Sequence, residues 1–296
     1  MDRRTQGTIA AISSALIWGL LPAYWKALKH VPTTQILGHR VVWSFVVVIL
    51  LISMQRRWDE ARTTLSHRSN LRVFLATPLL LGVNWLTYIW AVNTDQIVES
   101  SLGYFINPLV NVLLGMVFLR ERLNRWQTIS VLLAFIGVLF LTVQFGRVPW
   151  IAFILAFTFG FYGLLRKTAR AESMVGLSYE MAFLTPIAVV YLIYLGMCGS
   201  GAFVSVSVTT DLLLAGAGVV TCAPLLLYTY AVRRIRYSTI GLLHYMSPTG
   251  HLLLGVFLYK EPFTGVHAIS FGCVWVAIVI YSISSLAMAK RTKESW

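Results

Sequence analysis

Residues Tyr104–Glu121 read YFINPLVNVLLGMVFLRE, and residues His244–Glu261 read HYMSPTGHLLLGVFLYKE. Each stretch places aromatic and hydrogen-bonding side chains in the turn before a proline, continues as an apolar run through a glycine, and ends on a basic residue followed by glutamate. Pro108, Gly115 and Glu121 return as Pro248, Gly255 and Glu261, each 140 residues later, and Arg120 is answered by Lys260. The register extends outward. Trp18-Gly19 with Lys26 returns as Phe159-Gly160 with Lys167 at a shift of 141, and Trp90-Ala91-Val92 returns as Tyr230-Ala231-Val232. Shared apolar composition explains scattered Leu and Val matches, but it explains a common Pro, Gly and Glu register poorly. The chain therefore reads as two related halves, residues 1–146 and 147–296.

The halves belong in a bilayer. The 296 residues are 57% apolar and only 12% charged, with a mean hydropathy of +0.74, whereas soluble domains carry about 25% charged residues. A transmembrane helix needs about 20 apolar residues, and ten runs of that size lie between charge clusters: 7–26, 35–54, 73–93, 97–119, 125–145, 148–166, 176–196, 211–232, 237–259 and 264–288. The connections between them are about ten residues each, too short for a soluble catalytic domain. The first run lacks a small-residue cleavage pattern and is followed by nine more, so it reads as a retained helix. Each half holds five spans. Because five is odd, the second half must enter the membrane from the opposite side, which makes an inverted-topology repeat of the kind many secondary transporters use. The expected fold is an all-α integral membrane protein of ten transmembrane helices in two five-helix inverted repeats.

The formal charge of +13 marks one side of that membrane. Arg3 and Arg4, the Arg56–Arg72 loop, Arg120 to Arg125, Arg166 to Arg170, Arg233 to Arg236 and the tail hold 19 of the 24 Lys and Arg residues, against four at Lys26, Lys29, Arg147 and Lys260. The positive-inside rule then places both termini in the cytoplasm of a multi-pass inner-membrane protein. The basic residues form no single stripe with aromatic interleaving, so a nucleic-acid partner is not expected. Cys198, Cys222 and Cys273 lack the spacing of a metal or redox pair.

Ionisable and polar groups inside apolar spans are costly, and each is a candidate for function. Arg40, preceded by His39, lies about a turn and a half inside one end of span two, and Glu180 lies as far inside the opposite end of span seven. Their separation equals the repeat shift, so they are mates under the pseudo-symmetry. Each could face a cavity near one mouth, or pair with a neighbouring helix. Tyr104, Asn107 and Asn111 in span four, and His244 and Tyr245 in span nine, sit beside prolines that free backbone carbonyls, for which a cavity is the expected neighbour. Asn107 and Asn111 share a helix face. Trp18 and Tyr24 in span one, and Asn84, Trp85 and Tyr88 in span three, fit an aromatic and polar cavity wall. His251 reads more simply as an interhelical hydrogen bond. Asp95 and Glu99 are weak candidates for cation attraction and would cap span four. Glu121 and Glu261 read as boundary pairs or caps.

The chain has no GxxxxGK phosphate loop, no HExxH, no GxSxG elbow and no His or Cys cluster at ligand spacing, so neither an enzyme nor a cofactor is expected. With ten spans, a five-plus-five inverted repeat and the Pro-to-Glu register, the chain resembles the EamA family of the drug/metabolite transporter superfamily. The likeness is carried by Asn84-Trp85 through Trp90-Ala91-Val92-Asn93, by Glu99 through Asn111, by His39-Arg40-Val41 and Trp43-Ser44-Phe45, by Phe161-Tyr162-Gly163-Leu164 with Arg166-Lys167, and by Glu180-Met181. The resemblance adds Tyr162 to the candidate site and implies an inner-membrane permease of metabolites or drugs. Family substrates range over amino acids, nucleosides and xenobiotics, so no substrate is implied. The expectation is a secondary carrier, monomeric or weakly dimeric, moving small, partly apolar solutes outward through an aromatic cavity between the halves. A membrane enzyme on lipid headgroups would need acids clustered at one face, and a membrane sensor would need an extended soluble loop; neither pattern is present.

Overall fold

The computed structural model describes residues 2–66, 68–94, 96–144, 146–260 and 265–294; Asp95 and Glu261 lie outside them. The described chain is helical: α1 (Arg3–Ala27), α2 (Thr33–Met54), α3 (Trp58–Ser66), α4 (Arg68–Asn93), α5 (Ile97–Phe118), α6 (Arg125–Gln144), α7 (Trp150–Thr168), α8 (Ser173–Met197), α9 (Val208–Val232), α10 (Tyr237–His244), α11 (Met246–Leu253), a π turn (Leu254–Leu258) and α12 (Gly265–Glu294). Nine of these helices, α1, α2, α4 to α9 and α12, are long and apolar enough to cross a membrane. The short α3, with acidic side chains in its first turn, was not expected; its nine residues are too few to span.

The span expected over 237–259 is built of two short helices and a π turn. Pro248 has no N–H to donate to the carbonyl four residues back, and its ring crowds that carbonyl. The helix tightens at this point, with Tyr245 N–H donating to Leu242 O at 3.3 Å, then resumes as α11 and widens where Tyr259 N–H reaches Leu254 O at 3.0 Å. Pro108, by contrast, sits within a continuous α5. The two segments meet closely, since a Cβ on Gly241 would lie 2.5 Å from Pro108 O, so glycine there allows α10 to approach α5.

Side chains close several helix starts. Asn124 and Gln127 form a reciprocal capping box at α6, with N–H to side-chain distances of 2.9 and 3.1 Å. Glu99 Oε1 accepts from Ile151 N–H at the start of α7 at 2.8 Å. Glu121 accepts from the N–H groups of Tyr237 and Ser238 at the start of α10, at 2.6 and 2.9 Å. Carboxylates in these positions satisfy unpaired donors and complement the helix dipole.

The packing is interleaved. Helix α1 packs on α9 and α11, α2 on α8 and α9, α4 on α7 and α8, α5 on α7 and α10, and α6 on α12. Small residues set the closest approaches: Gly19 meets Gly250 across α1 and α11, and Gly160 meets Val110 across α7 and α5. Apolar side chains such as Leu50, Phe140, Ile187 and Val279 face outward, the arrangement hydrocarbon requires of a bundle's outer surface.

Candidate functional site

A cavity of about 600 Å³ lies among α1, α2, α4, α5, α7, α9, α10 and α11. It extends toward Lys26 at the end of α1, Ser100 at the start of α5 and Tyr259 after the π turn, and by helix direction these ends lie on one side of the bundle. Its volume falls within the usual range for pockets that hold small molecules.

Helix α1 contributes Trp18, Leu21, Pro22, Trp25 and Lys26. Their spacings of 0, 3, 4, 7 and 8 describe one face of a helix. Arg40 projects from α2, donates from Nε to Thr221 Oγ1 at 3.1 Å, and lies 4.8 Å from the Trp25 ring and 5.0 Å from the Trp85 ring. Lys26 Nζ sits 3.2 Å from the centre of the Tyr259 ring. Tyr88 and Tyr104 stand edge-to-face at 6.5 Å, and Tyr104 meets His251 edge-to-face at 5.4 Å. At the inner end Trp18 stands edge-on to Phe159 and His244, at 5.6 and 5.2 Å. His244 stacks on Tyr228 at 5.0 Å, and its buried Nε2 has no partner among the described residues.

Polar side chains also fix the wall to its neighbours. Asn84 Nδ2 donates to Leu155 O and Thr158 Oγ1 at 2.9 and 2.8 Å. Asn107 Nδ2 donates to Ala156 O at 2.9 Å. His251 Nε2 is 2.9 Å from Trp18 O, so the interhelical bond expected of it is present in a residue that also lines the cavity.

Of the fourteen residues singled out in the sequence, Trp18, Arg40, Asn84, Trp85, Tyr88, Tyr104, Asn107 and His244 line this cavity. The other six lie behind or away from it. Tyr24 donates to Leu213 O, and buried His39 packs on Phe203 at 5.1 Å. Asn111 accepts from Tyr237 OH at 2.9 Å. Tyr245 is fully buried, its hydroxyl without a partner among the described residues. Tyr162 and Glu180 meet each other at the opposite end. Trp25, Lys26, Phe159 and Thr221 are among the wall residues that had not been singled out as site residues. The helical period running on from Trp18 marks the first two, and the repeat match of Phe159 to Trp18 marks the third. A lone threonine in an apolar span carries no comparable signal.

A buried charge pair lies at the opposite end. Glu180 and Arg166 are both fully buried, with Arg166 Nε 3.6 Å from Glu180 Oε1. Tyr162 OH donates to Glu180 Oε2 at 3.0 Å, and Arg166 Nη2 donates to Ser173 O at 2.9 Å. Beside them Lys167 Nζ donates to Val232 O and Ile235 O at 2.7 and 2.5 Å. Glu121 also accepts from Ser238 Oγ at 2.7 Å and lies 3.9 Å from Arg236 Nε. The helix ends there are tied across the bundle.

A membrane-spanning helical bundle that holds an aromatic and polar cavity, with ionisable groups inside its spans, defines a membrane transporter. Residues 5–143 match the EamA-like transporter family. The chain is 45% identical over 290 residues to an uncharacterized transporter of Vibrio cholerae, covering 98% of this chain and 96% of that one. It is 41% identical to the uncharacterized transporter YojE of Bacillus subtilis, over 98% and 97% of the two chains. It is 40% identical to protein RarD of Escherichia coli K12, over 98% of each. A solved crystal structure shares the fold with a TM-score of 0.73 at 18% identity, over 95% of this chain and 98% of that chain. The chain belongs to the EamA-like transporter family and is a multi-pass membrane protein in contact with lipid and with a transported substrate.

Proposed function

We propose that the protein is a secondary carrier that moves small, partly apolar organic solutes outward by alternating access around this cavity. The observation that carries the reading is the asymmetry between its two ends: a 600 Å³ cavity reaching Lys26 and Tyr259 at one, and a buried Arg166–Glu180 pair at the other. The eight cavity-lining residues from the sequence, with Trp25 and Thr221, form the substrate wall.

Alternating access needs two halves that can exchange roles, and the packing supports an inverted repeat of residues 1–146 and 147–296. Under that relation α1, α2, α4, α5 and α6 become α7, α8, α9, α10–α11 and α12. The contact of α1 with α9 then corresponds to α7 with α4, that of α2 with α9 to α8 with α4, and that of α1 with α11 to α7 with α5. Pairs α2–α8, α5–α10 and α6–α12 map onto themselves. Arg120 and Lys260, 140 apart, both hold positive φ, at 53° and 57°, a conformation uncommon outside glycine. The interrupted segment 237–258 is span nine and brings the nine long helices to ten spans; its 22 residues at about 1.5 Å each cover the hydrocarbon. The charge asymmetry then puts both termini in the cytoplasm, with the cavity facing outward and the Arg166–Glu180 end sealed.

The test is thermal unfolding of purified protein in detergent against several hundred metabolites and antibiotics, followed by liposome flux of each hit. Ligands that bind only the folded state raise its melting temperature. Stabilising solutes that also cross protein-containing vesicles are expected, with flux impaired by Arg40→Ala and by Glu180→Gln. A reconstituted protein that neither binds nor moves any of them sinks the proposal. Single cysteines at Lys29 and Arg170 should react with an impermeant maleimide from outside and inside respectively; the reverse pattern would invert the orientation.

A further inference from the structure

Arg40 and Lys26 are cations on the cavity wall, and among the described residues no aspartate or glutamate lines it. Arg40 spends one donor on a neutral hydroxyl, Thr221 Oγ1. Among the described residues neither of its Nη atoms has an acceptor, and no carboxylate lies within ion-pair distance. The two flanking indoles lie 4.8 and 5.0 Å from the guanidinium carbon, and the paired Nη donors remain for a ligand. The sealed end is built differently, since Glu180 has Arg166 as its own counter-ion.

We infer that the transported solute is a small organic anion, a carboxylate with an apolar or aromatic body, whose charge supplies the counter-ion that Arg40 lacks. The inference rests on the transporter reading and deepens it. Closing the cavity around a neutral solute would remove water from Arg40 and leave a desolvated cation unpaired in a low-dielectric interior. Closing it around a carboxylate forms a bidentate, charge-assisted pair instead. The anion thus stabilises the occluded state as well as the open one, and a cationic solute is rejected by Arg40 and Lys26 together. The body of the solute packs among Trp18, Trp25, Trp85, Tyr88, Tyr104 and Phe159, side chains suited to a flat or apolar group.

Three near-isosteres of different charge test this: 3-phenylpropionate, 3-phenylpropanamide and 3-phenylpropylamine. Each is titrated against full-length protein in nanodiscs at neutral pH, read by thermal unfolding, and its flux is measured in liposomes against empty vesicles. The carboxylate should bind at least tenfold more tightly than the amide, and the amine should not bind. Arg40→Gln should bring the carboxylate-to-amide ratio close to one, and Arg40→Lys should keep part of it. Should Arg40→Gln fail to fold, the lysine variant decides the point: a ratio unchanged from wild type overturns the assignment. So does an amide or amine that binds as well as the carboxylate, discrimination that survives in Arg40→Gln, or no binding by any of the three at millimolar concentration. Arg40-dependent binding without flux would leave the anion site standing and remove transport; flux of the amide or amine independent of Arg40 would do the reverse.

Discussion

Arg40 and Glu180 each lie about two turns inside their helices, 140 residues apart in the sequence, and the structure treats them in opposite ways. Glu180 is fully buried against Arg166, with Tyr162 donating to its second oxygen. Arg40 is only half-buried and faces aromatic rings, one hydroxyl and open cavity. A charge within a bilayer must be compensated. For Glu180 the protein supplies the compensation, whereas for Arg40 the proposal assigns it to the solute. In this structure the two charges are therefore not equivalent parts of one cavity wall: Glu180 is paired within the protein, and on the proposed reading Arg40 is paired by the solute.

The sharpest way to break that comparison is to remove one member of the sealed pair. Glu180→Ala or Arg166→Ala leaves an uncompensated buried charge, which costs about 3–5 kcal/mol, and unfolding in detergent should show a loss of that size. Replacing both, as Glu180→Leu with Arg166→Met, should recover most of it, because two well-packed apolar groups need no counter-charge. A double variant no more stable than the singles would mean that Tyr162 and Ser173, not the pair itself, hold that end. Gly176→Ala attacks the same point without touching a charge. The added Cβ would fall 1.5 Å from Arg166 Nη1, and in so tight a site overpacking costs about 1–3 kcal/mol. Loss of less than half of a kcal/mol would place the guanidinium elsewhere.

How much of the contrast could be read without coordinates follows from what kind of fact each part is. The long spans are one-dimensional facts set by the length of apolar runs, and nine of the ten expected return, among the described residues, as helices long enough to cross a membrane. The register of Pro108 with Pro248 and Arg40 with Glu180 is also linear. The pairing of Glu180 with Arg166 is not: Arg166 reads as a cytoplasmic loop cation, and only the tight turn at 169–172 folds α8 back to bring it inward. The different behaviour of Pro108 and Pro248 depends on what packs around them. Trp25 and Lys26 were legible in principle, because they continue the helical face begun at Trp18, but a Trp and a Lys near a span end also suit an interface anchor.

A smaller effect tests whether the sealed end depends on more than its ion pair. Glu121 gathers two backbone N–H groups and a hydroxyl at the start of α10, so Glu121→Ala removes a helix cap worth about 1–2 kcal/mol. The loss should appear as faster hydrogen exchange at Tyr237 and Ser238, with protection in α2 unchanged. Uniform acceleration through both regions would mean that Glu121 supports the whole bundle.

The smallest stability effect is expected at Arg40, and its smallness is informative. Arg40→Ala removes two cation–π contacts, each worth about 0.5–1 kcal/mol at exposed sites, and a hydrogen bond to Thr221 of about 1 kcal/mol. It also relieves the cost of holding an unpaired cation within the span, so these contributions oppose each other. A net change within about 1 kcal/mol of wild type is therefore expected, well below the loss at Glu180. Thermal unfolding of the ligand-free protein measures it. A loss of several kcal/mol would show that Arg40 is already fully compensated in the empty cavity, and the contrast between the two ends would collapse into two structural charges. A gain in stability would sharpen it, because a binding group held ready for an absent partner is a group the unliganded fold is better off without.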